Sequence, residues 1–418
     1  MKTDGARVVA RLEEIYRCGE LGDGSHSRLA FSEEDRKGRE AFARRFRALG
    51  IEPSVDPAGN MIARLEGREP LPAIVVGSHL DTVPDGGKYD GALGCVAGLE
   101  VVETLLASGT KLRHPLEVVV FSDEEGARFG SGMIGSSAFS GASLANFSLS
   151  AADKEGIRRR DALAAWGLNV NDGDGIQQLS KAARGKETVH CCLELHIEQG
   201  GGLFKAQVPI GVVTTIAGVK RCEIVTRGQM NHAGSTSMED RKDALVAAAR
   251  FIASVPDVAR AHGGQYSVAT VGAIAVSPNA VNVIPGSCTF SLEIRDREPA
   301  VMERIEGELR RVLARVAEGF DCDFRPISSN APVSMDPGVQ NAIAEACEDE
   351  GCPYRLMPSG AFHDSLMLAE AFPCGMIFIP SVDGVSHSPE EFSREEDIQR
   401  GCDVLLRSVL RLDARFEP

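Results

Sequence analysis

Two uninterrupted apolar runs in the first third of the chain predict strands that are buried on both faces of a sheet. They cover residues 73–78 and 116–121, and residues 92–106 between them have the apolar spacing of a helix. Residues 36–49 are also helical in pattern, and the polar residues 32–35 before them are typical of a helix N-cap. Strand, helix and strand of these lengths form a βαβ unit. The predicted fold class is therefore α/β, with a mixed sheet flanked by helices.

The pattern changes in the middle of the chain, from about residue 211 to residue 325. Here β-branched strands alternate with two long helical segments in β-α-β-β-α-β order, which predicts an inserted α+β domain of ferredoxin-like type. The predicted strands are 210–215, 221–226, 267–275 and 289–294, and the predicted helices are 240–254 and 299–318.

The last part of the chain returns to the first pattern, with a helix predicted at 337–350 and a short strand at 376–379. His387 follows in a loop and completes a set of candidate ligands that begins in the first third. We therefore predict one discontinuous domain, residues 1–210 and 330–418, which carries the candidate ligands and is interrupted by the inserted domain at 211–329.

Length and charge limit the classes of partner. The chain has 418 residues, for which two domains are the default, and a net charge of −15, which argues against a nucleic-acid partner. No apolar run approaches the ~18 residues of a membrane span, and the first residues lack a signal peptide. Eleven cysteines without a Cys-x-x-Cys pair fit reduced thiols in a cytoplasm. A cytoplasmic protein without a membrane partner is expected.

Five residues in short polar segments have the chemistry of a two-metal site. They are His79, Asp90, Glu125, His196 and His387. Each histidine alone would more often be an ordinary core or surface imidazole, but five such residues in matching contexts favour a metal site. Each ion needs two or three protein ligands and an open position for water. A bridging Asp90 would satisfy both ions, with His79 and His196 at one and Glu125 and His387 at the other.

The adjacent pair Glu124-Glu125 can divide two tasks. One carboxylate can bind the metal while its neighbour acts as a general base and later protonates the leaving nitrogen. The alternative is a solvated turn, which the preceding buried strand disfavours. Asp81 stands two residues after His79, so both project to the same side of an extended chain, and Asp81 can orient His79 or a neighbour.

Several of these segments together resemble a known family. The motifs are Ser-His-Leu-Asp-Thr, Glu-Glu-Gly-Ala-Arg-Phe, Leu-Glu-Leu-His-Ile-Glu-Gln-Gly, His-Ala-Gly and Ser-His-Ser-Pro, at 78–82, 124–129, 193–200, 232–234 and 386–389. They resemble the hydantoinase/carbamoylase branch of the M20 dinuclear metallohydrolases, which includes N-carbamoyl-L-amino-acid hydrolases, β-ureidopropionases and allantoate amidohydrolases. The resemblance extends from about residue 28 to residue 392.

The resemblance implies roles for the metal residues. Asp90 would bridge two divalent ions (Zn²⁺, or Mn²⁺, Co²⁺ or Ni²⁺), Glu124 would be the base, and the ligands would divide as above. His196 is informative, because the peptidases and aminoacylases of the family usually have a carboxylate at this position and the amidohydrolase branch has histidine.

The resemblance also implies a role for the insert as a dimerisation or lid domain. In a homodimer, His232 would reach the partner subunit's site and stabilise the oxyanion. Asn282 and Arg295 would bind the substrate carboxylate, for which a planar guanidinium is suited. From the sequence alone, an arginine at a strand end is more often a surface ion-pair former. Gln199 would contact the ureido or carboxylate group from the catalytic domain.

One segment departs from the family pattern. Phe362 stands where many members have glycine, so a bulky ring would narrow the pocket or contact an apolar substrate side chain. His363, the next residue, would either touch the substrate or form a hydrogen bond within its own loop.

The resemblance, together with these residues, implies a metal-dependent amidohydrolase acting on a small ureido substrate that carries a carboxylate. The main hypothesis is cleavage of the carbamoyl C–N bond of N-carbamoyl-L-amino acids, which gives the L-amino acid, CO₂ and ammonia. Allantoate and β-ureidopropionate would fit the same residues, and N-acyl amino acids or peptides are further alternatives. Outside enzymology, the alternative is a binding protein that keeps the fold without turnover.

Overall fold

The structure, a computed structural model, describes residues 1–145, 147–170 and 175–415, which belong to two compact units. The first unit consists of Met1–Thr214, Ser334–Met357 and Ala361–Pro418, and the second of Thr215–Val333 and Pro358–Gly360. The catalytic role predicted for residues 1–210 and 330–418, and the dimerisation or lid role predicted for 211–329, stay predictions.

Helices and strands occur in both units. The helices are α1 Gly5–Arg17, α2 Glu33–Ala48, α3 Ala92–Ser108, α4 Ile134–Ser140, α5 Arg159–Ala165, α6 Gly175–Ser180, α7 Gly202–Ala206, α8 Ala244–His262, α9 Pro299–Val316, α10 Pro337–Asp349, α11 Asp364–Leu368 and α12 Glu395–Arg415, with a 3₁₀ turn at Val382–Gly384. The strands are β1 Ser54–Val55, β2 Met61–Leu65, β3 Ala73–His79, β4 Leu116–Phe121, β5 Val189–Ile197, β6 Ile210–Ile216, β7 Gly218–Arg227, β8 Asn231–His232, β9 Val268–Thr270, β10 Ile274–Ser277, β11 Val283–Ile284, β12 Ser287–Asp296, β13 Asp321–Asn330, β14 Val333–Ser334, β15 Tyr354–Ser359 and β16 Cys374–Ile379.

The first unit is built on a mixed sheet in the order β1-β2-β4-β3-β5-β16-β6-β14, with β15 also paired to β6. Strands β4, β3, β5 and β16 are parallel to one another, whereas β2 and β6 join this group antiparallel. Every residue of β3 and β4 is buried, as expected for strands covered on both faces. The predicted mixed α/β fold is confirmed.

Two glycines allow α3 to pack closely on the centre of this sheet. A Cβ at Gly94 would lie 2.6 Å from the carbonyl oxygen of Leu195, and a Cβ at Gly98 would lie 2.8 Å from a methyl group of Val118. These distances are too short for real contacts, so larger residues would push the helix away from the strands. Because the loop that carries Asp90 leads directly into α3, this packing also positions one candidate ligand.

The second unit contains an antiparallel sheet in the order β10-β12-β7-β13, with β9 paired to β12. Helices α8 and α9 pack on it around a core that includes Phe251, Phe290 and Ile305. The order of elements and strands is that of a ferredoxin-like fold.

Two predicted element boundaries in this unit are wrong. The single strand predicted at 267–275 is divided into β9 and β10, because the N–H groups of Gly272 and Ala273 are bonded to the Ser291 hydroxyl, at 3.2 and 3.0 Å, instead of to a strand. The helix predicted at 240–254 begins only at Ala244, where Asp243 caps it, and continues through Pro256 to His262.

Among the described residues, no helix is both long and apolar enough to cross a membrane.

Candidate dinuclear metal site

The five predicted metal ligands come together at the carboxyl ends of neighbouring strands in the first unit. His79 ends β3 and His196 lies near the end of β5, and both are buried. Asp90 lies in the loop before α3, Glu125 in the loop after β4, and His387 in the loop after the 3₁₀ turn. Ligand sites of open α/β sheets are commonly found at this edge.

The two carboxylate oxygens of Asp90 face two different groups of donors. Oδ1 lies 3.6 Å from Nε2 of His79 and 3.1 Å from Nε2 of His196. Oδ2 lies 3.2 Å from Nε2 of His387, which lies 3.7 Å from Oε1 of Glu125. Donors around one tetrahedral zinc ion are about 3.3 Å apart, given metal–nitrogen distances of about 2.0–2.1 Å. The residues therefore fit two ions that share Asp90, and the division of the other ligands between the two ions stays a prediction.

The charges in this cluster also suit cations. Burial would raise the pKa of Asp90, but hydrogen bonds with His196, His387 and His79 hold the pKa well below its ordinary value. Burial would lower the pKa of His79, but nearby carboxylates, first that of Glu124, raise it well above its ordinary value. Several buried carboxylates thus create a strongly negative environment, which divalent ions would neutralise.

Backbone carbonyl groups fix the orientation of the two buried imidazoles. Nδ1 of His79 donates to the carbonyl oxygen of Asp81 at 2.9 Å, and Nδ1 of His196 donates to that of Ile197 at 2.9 Å. Each ring therefore directs Nε2 towards Asp90. Such secondary hydrogen bonds fix the tautomer that a metal ligand requires.

The carboxylate of Asp81 holds the loop after β4. It lies 3.9 Å from Nδ1 of His79, whereas its Oδ1 accepts the N–H of Glu124 at 3.3 Å and its Oδ2 accepts the N–H of Glu125 at 3.2 Å. Asp123 and Gly126 on either side have positive φ, so the chain turns sharply before and after the pair. Asp81 thus contacts His79 through its backbone and the two glutamates through its side chain.

Glu124 has the environment of a proton carrier. It is almost fully buried, and its Oε2 lies 3.7 Å from Nε2 of His79. Burial raises its pKa well above the ordinary value, and burial together with Asp90 raises the pKa of Glu125 to about 7. Carboxyl groups with raised pKa can both accept and return a proton near neutral pH.

Gln199 and His363, two predicted substrate-binding residues, lie beside the candidate metal ligands. Nε2 of Gln199 donates to Oδ2 of Asp90 at 2.7 Å and lies 3.3 Å from Nε2 of His387. The buried ring of His363 contacts that of His196 edge-on, with centroids 4.5 Å apart. Burial lowers the pKa of His363 well below its ordinary value, which favours the neutral form of the ring. Phe362 directly precedes it and is half-buried.

The profile of Peptidase family M20/M25/M40 matches residues 75–411, most of the chain. The chain belongs to this family. The resemblance inferred from the motifs is thereby confirmed.

Relatives in the M20 family match this chain over nearly its whole length. An N-carbamoyl-L-amino acid amidohydrolase of Geobacillus stearothermophilus is 40% identical over 411 residues, which cover 98% of each chain. An allantoate amidohydrolase of Bacillus subtilis is 32% identical over 415 residues, which cover 97% of each chain. The crystal structure of a hydantoinase/carbamoylase family amidase from Burkholderia multivorans has a TM-score of 0.89 and 36% identity, and 99% of each chain is covered.

The other three predicted substrate-binding or catalytic residues of this M20 chain lie in the second unit. His232 and Asn282 are neighbours where β8 pairs with β11, and both are exposed. Nδ1 of His232 accepts the N–H of Gly234 at 3.0 Å. Arg295 lies on β12 and donates to Oε1 of Glu293 and to the carbonyl oxygen of Gly360, both at 2.7 Å. The role of Arg295 in binding a substrate carboxylate stays a prediction.

The sequence interpretation did not include Glu194, which is buried on β5 behind the site. Its Oε1 accepts the hydroxyl of Ser78 at 2.9 Å, and its Oε2 accepts the N–H and the hydroxyl of Ser365 at 3.1 and 2.7 Å. Glu194 therefore ties β3 and α11 to the strand that carries His196. The signal in the sequence is a single carboxylate inside an otherwise apolar strand.

Proposed function

We propose that this chain is a metal-dependent amidohydrolase that cleaves the carbamoyl C–N bond of N-carbamoyl-L-amino acids. The products would be the L-amino acid, CO₂ and ammonia. The observation that carries the proposal is the position of Asp90, whose two oxygens face separate sets of donors. The relative from Geobacillus stearothermophilus supports this substrate class, since its amidohydrolase activity is on N-carbamoyl-L-amino acids and the identity extends over nearly the whole chain.

Two divalent ions, Zn²⁺ or alternatively Mn²⁺, Co²⁺ or Ni²⁺, are proposed to bind. His79, Asp90 and His196 would hold one ion, and Asp90, Glu125 and His387 would hold the other. Ions in such a site lower the pKa of water and polarise a carbonyl group, which is the chemistry that an unreactive ureido carbon requires.

Glu124 is proposed to move the proton. Its carboxylate takes a proton from the attacking water and returns it to the departing nitrogen, which leaves as ammonia. The remaining N-carboxy amino acid loses CO₂ to give the free amino acid. A buried carboxyl with a raised pKa is suited to both transfers, and Asp81 holds its backbone in place.

Three residues are proposed to bind the substrate. Gln199 would contact the ureido or carboxylate group, and Arg295 with Asn282 would bind the carboxylate. In the proposed homodimer, His232 would donate to the oxyanion at the site of a second copy. Closure of the second unit, as a lid, would exclude water from the reaction.

Ammonia release from a panel of ureido compounds tests the proposal. The protein would be stripped with a chelator and reloaded with Mn²⁺, Co²⁺ or Zn²⁺, then supplied with N-carbamoyl-L-methionine, its D-enantiomer, N-carbamoyl-β-alanine or allantoate. Metal-dependent release from the L-compound is expected. No release from the L-compound with any metal would contradict the proposed substrate.

Allantoate hydrolysis is the second candidate function, because the Bacillus subtilis relative is an allantoate amidohydrolase. Release mainly from allantoate would support this candidate and leave the proposed metal residues and Glu124 in their roles.

The eleven cysteines are all free thiols, which agrees with the proposed cytoplasmic location.

A further inference from the structure

Glu391 joins the two loops that carry Asp90 and His387. It is buried, and its Oε1 accepts the backbone N–H of Tyr89 at 2.9 Å and that of Asp90 at 3.1 Å. Its Oε2 accepts the hydroxyl of Ser386 at 2.8 Å. One side chain therefore contacts a candidate metal ligand on one loop and the neighbour of another ligand on the second loop.

Ser386 and Gly87 both lie close to the Glu391 carboxylate. The hydroxyl of Ser386 lies 3.3 Å from Oδ2 of Asp90 as well, so Ser386 contacts both carboxylates. A Cβ at Gly87 would overlap the carboxylate of Glu391, so the approach of Glu391 requires glycine at this position. The donors that contact the Glu391 carboxylate are two backbone N–H groups and one hydroxyl, all of them uncharged. Hydrogen bonds therefore stabilise this buried carboxylate.

The loops need such a contact more than the strands do. His79 and His196 belong to central strands, in which His79 pairs with β4 and His196 pairs with β16, and this pairing holds their backbone. Asp90 and His387 lie outside any strand, and the side chain of His387 is 50% exposed. Their separation of 3.2 Å, between Oδ2 and Nε2, therefore depends on contacts between the loops.

We propose that Glu391 is a positioning residue that holds Asp90 and His387 at the spacing of a shared ion. The inference rests on the proposed function, because it assumes the second ion of the dinuclear site. Loss of the contact should release the ion held by Asp90, Glu125 and His387 before the ion held by the two strand histidines. Residues that orient metal ligands typically contribute about 10- to 100-fold to metal affinity.

Metal binding to three variants tests this inference. Glu391→Leu removes all three acceptor contacts at similar volume. Glu391→Gln keeps an oxygen for the two N–H groups and offers an amide N–H to the Ser386 hydroxyl oxygen. Glu390→Gln is the matched control, because this neighbour is exposed and its side chain bonds only to Ser388 among the described contacts.

Each protein would be stripped and titrated with Mn²⁺ by calorimetry, and its bound metal counted after gel filtration. We expect two ions in the wild type, in Glu391→Gln and in the control. Glu391→Leu should bind the second ion about 10- to 100-fold more weakly and retain about one after gel filtration. Thermal melting of the metal-free proteins would identify a variant that fails to fold, in which case Glu391→Asp, which is too short to bridge the loops, replaces Glu391→Leu.

Three results would overturn the inference. Unchanged affinity for both ions in the Leu or Asp variant would show that the contact does not position the ligands. Equal loss in Glu391→Gln would show that charge, and not hydrogen bonding, is required. A wild type that binds no metal would overturn the proposed function as well, whereas a two-ion wild type with a two-ion Leu variant would overturn the positioning role alone.

Discussion

Replacing Asp81 by asparagine tests how the loop after β4, which carries Glu124 and Glu125, is held. The two oxygens of Asp81 each accept one backbone N–H, from Glu124 at 3.3 Å and from Glu125 at 3.2 Å. Asparagine keeps one oxygen, and its NH₂ group then faces an N–H that has no acceptor. The variant therefore removes one charge-assisted hydrogen bond and places two donors against each other inside a buried site.

The free energy lost in the variant can be worked out from the lengths of these two hydrogen bonds. Hydrogen bonds to charged groups contribute about 1.5–3 kcal/mol, and these two are long, so the lower part of that range applies. With the unpaired N–H added, we expect a loss of about 2–3 kcal/mol, which corresponds to about 30- to 140-fold in an equilibrium constant. Because the affected residues are a candidate ligand and the candidate base, the loss should fall mainly on metal affinity.

Calorimetric titration with Mn²⁺ would measure this loss, and thermal melting of the metal-free protein would separate it from unfolding. Asp85→Asn is the matched control, because Asp85 lies exposed on the same loop as Asp81, and its carboxylate accepts the N–H of His26 at 3.2 Å, away from the two glutamates. The control should bind metal like the wild type. If Asp81→Asn also does so and melts unchanged, the loop is not held by this carboxylate.

Three further predictions concern the base, a glycine and a histidine remote from the site. Glu124→Gln should keep both ions and lower kcat by about 10²- to 10⁴-fold, and a fall of less than tenfold would exclude it as the base. Gly91→Ala should abolish binding of at least one ion, because Gly91 has φ +62° and a Cβ there would overlap the His79 ring. Gly109→Ala is the control, because Gly109 has a similar φ of +68° and free space around its Cβ position. The control should lose only about 1–2 kcal/mol of stability through backbone strain. Burial, and secondarily a neighbouring histidine, lowers the pKa of His190 to about 4. As the pH falls, His190 is protonated in the unfolded chain before it is protonated in the folded chain. Its contribution to the free energy of unfolding is therefore complete above about pH 6.5 and is lost as the pH falls towards 4. At pH 5 the loss in the free energy of unfolding should be about 1 kcal/mol, because the ring is only half-buried. Thermal melting at several pH values should show that His190→Gln lacks this part of the pH dependence. A variant with the same pH profile as the wild type would refute this role of His190.

The central strands could be predicted from the sequence because burial on both faces requires a continuous apolar run. The predicted segments 73–78 and 116–121 agree closely with β3, Ala73–His79, and β4, Leu116–Phe121. The break between β9 and β10 could not be predicted in this way, because it depends on the hydroxyl of Ser291, which meets Gly272 only in the folded sheet. Such a contact leaves no periodic signal near the break.

The candidate site shows the same limit. The grouping of His79, Asp90 and His387 was predictable because the side chains that bind metal are chemically distinctive and occur in recognisable segments. The residues that hold them were not, because a carboxylate that accepts backbone N–H groups can be any buried glutamate or aspartate. Glu391, for example, contacts the Asp90 loop across 301 residues of sequence.

Whether ammonia release depends on bound metal decides whether this protein is a two-ion hydrolase. The metal-free protein would be titrated with Mn²⁺ or Zn²⁺ while ammonia release from N-carbamoyl-L-methionine is followed. A two-ion site that shares Asp90 predicts no release without metal and full activity only when about two ions are bound per chain. Full release from the metal-free protein, or no release at any metal content, would rule out a two-ion hydrolase of N-carbamoyl-L-amino acids.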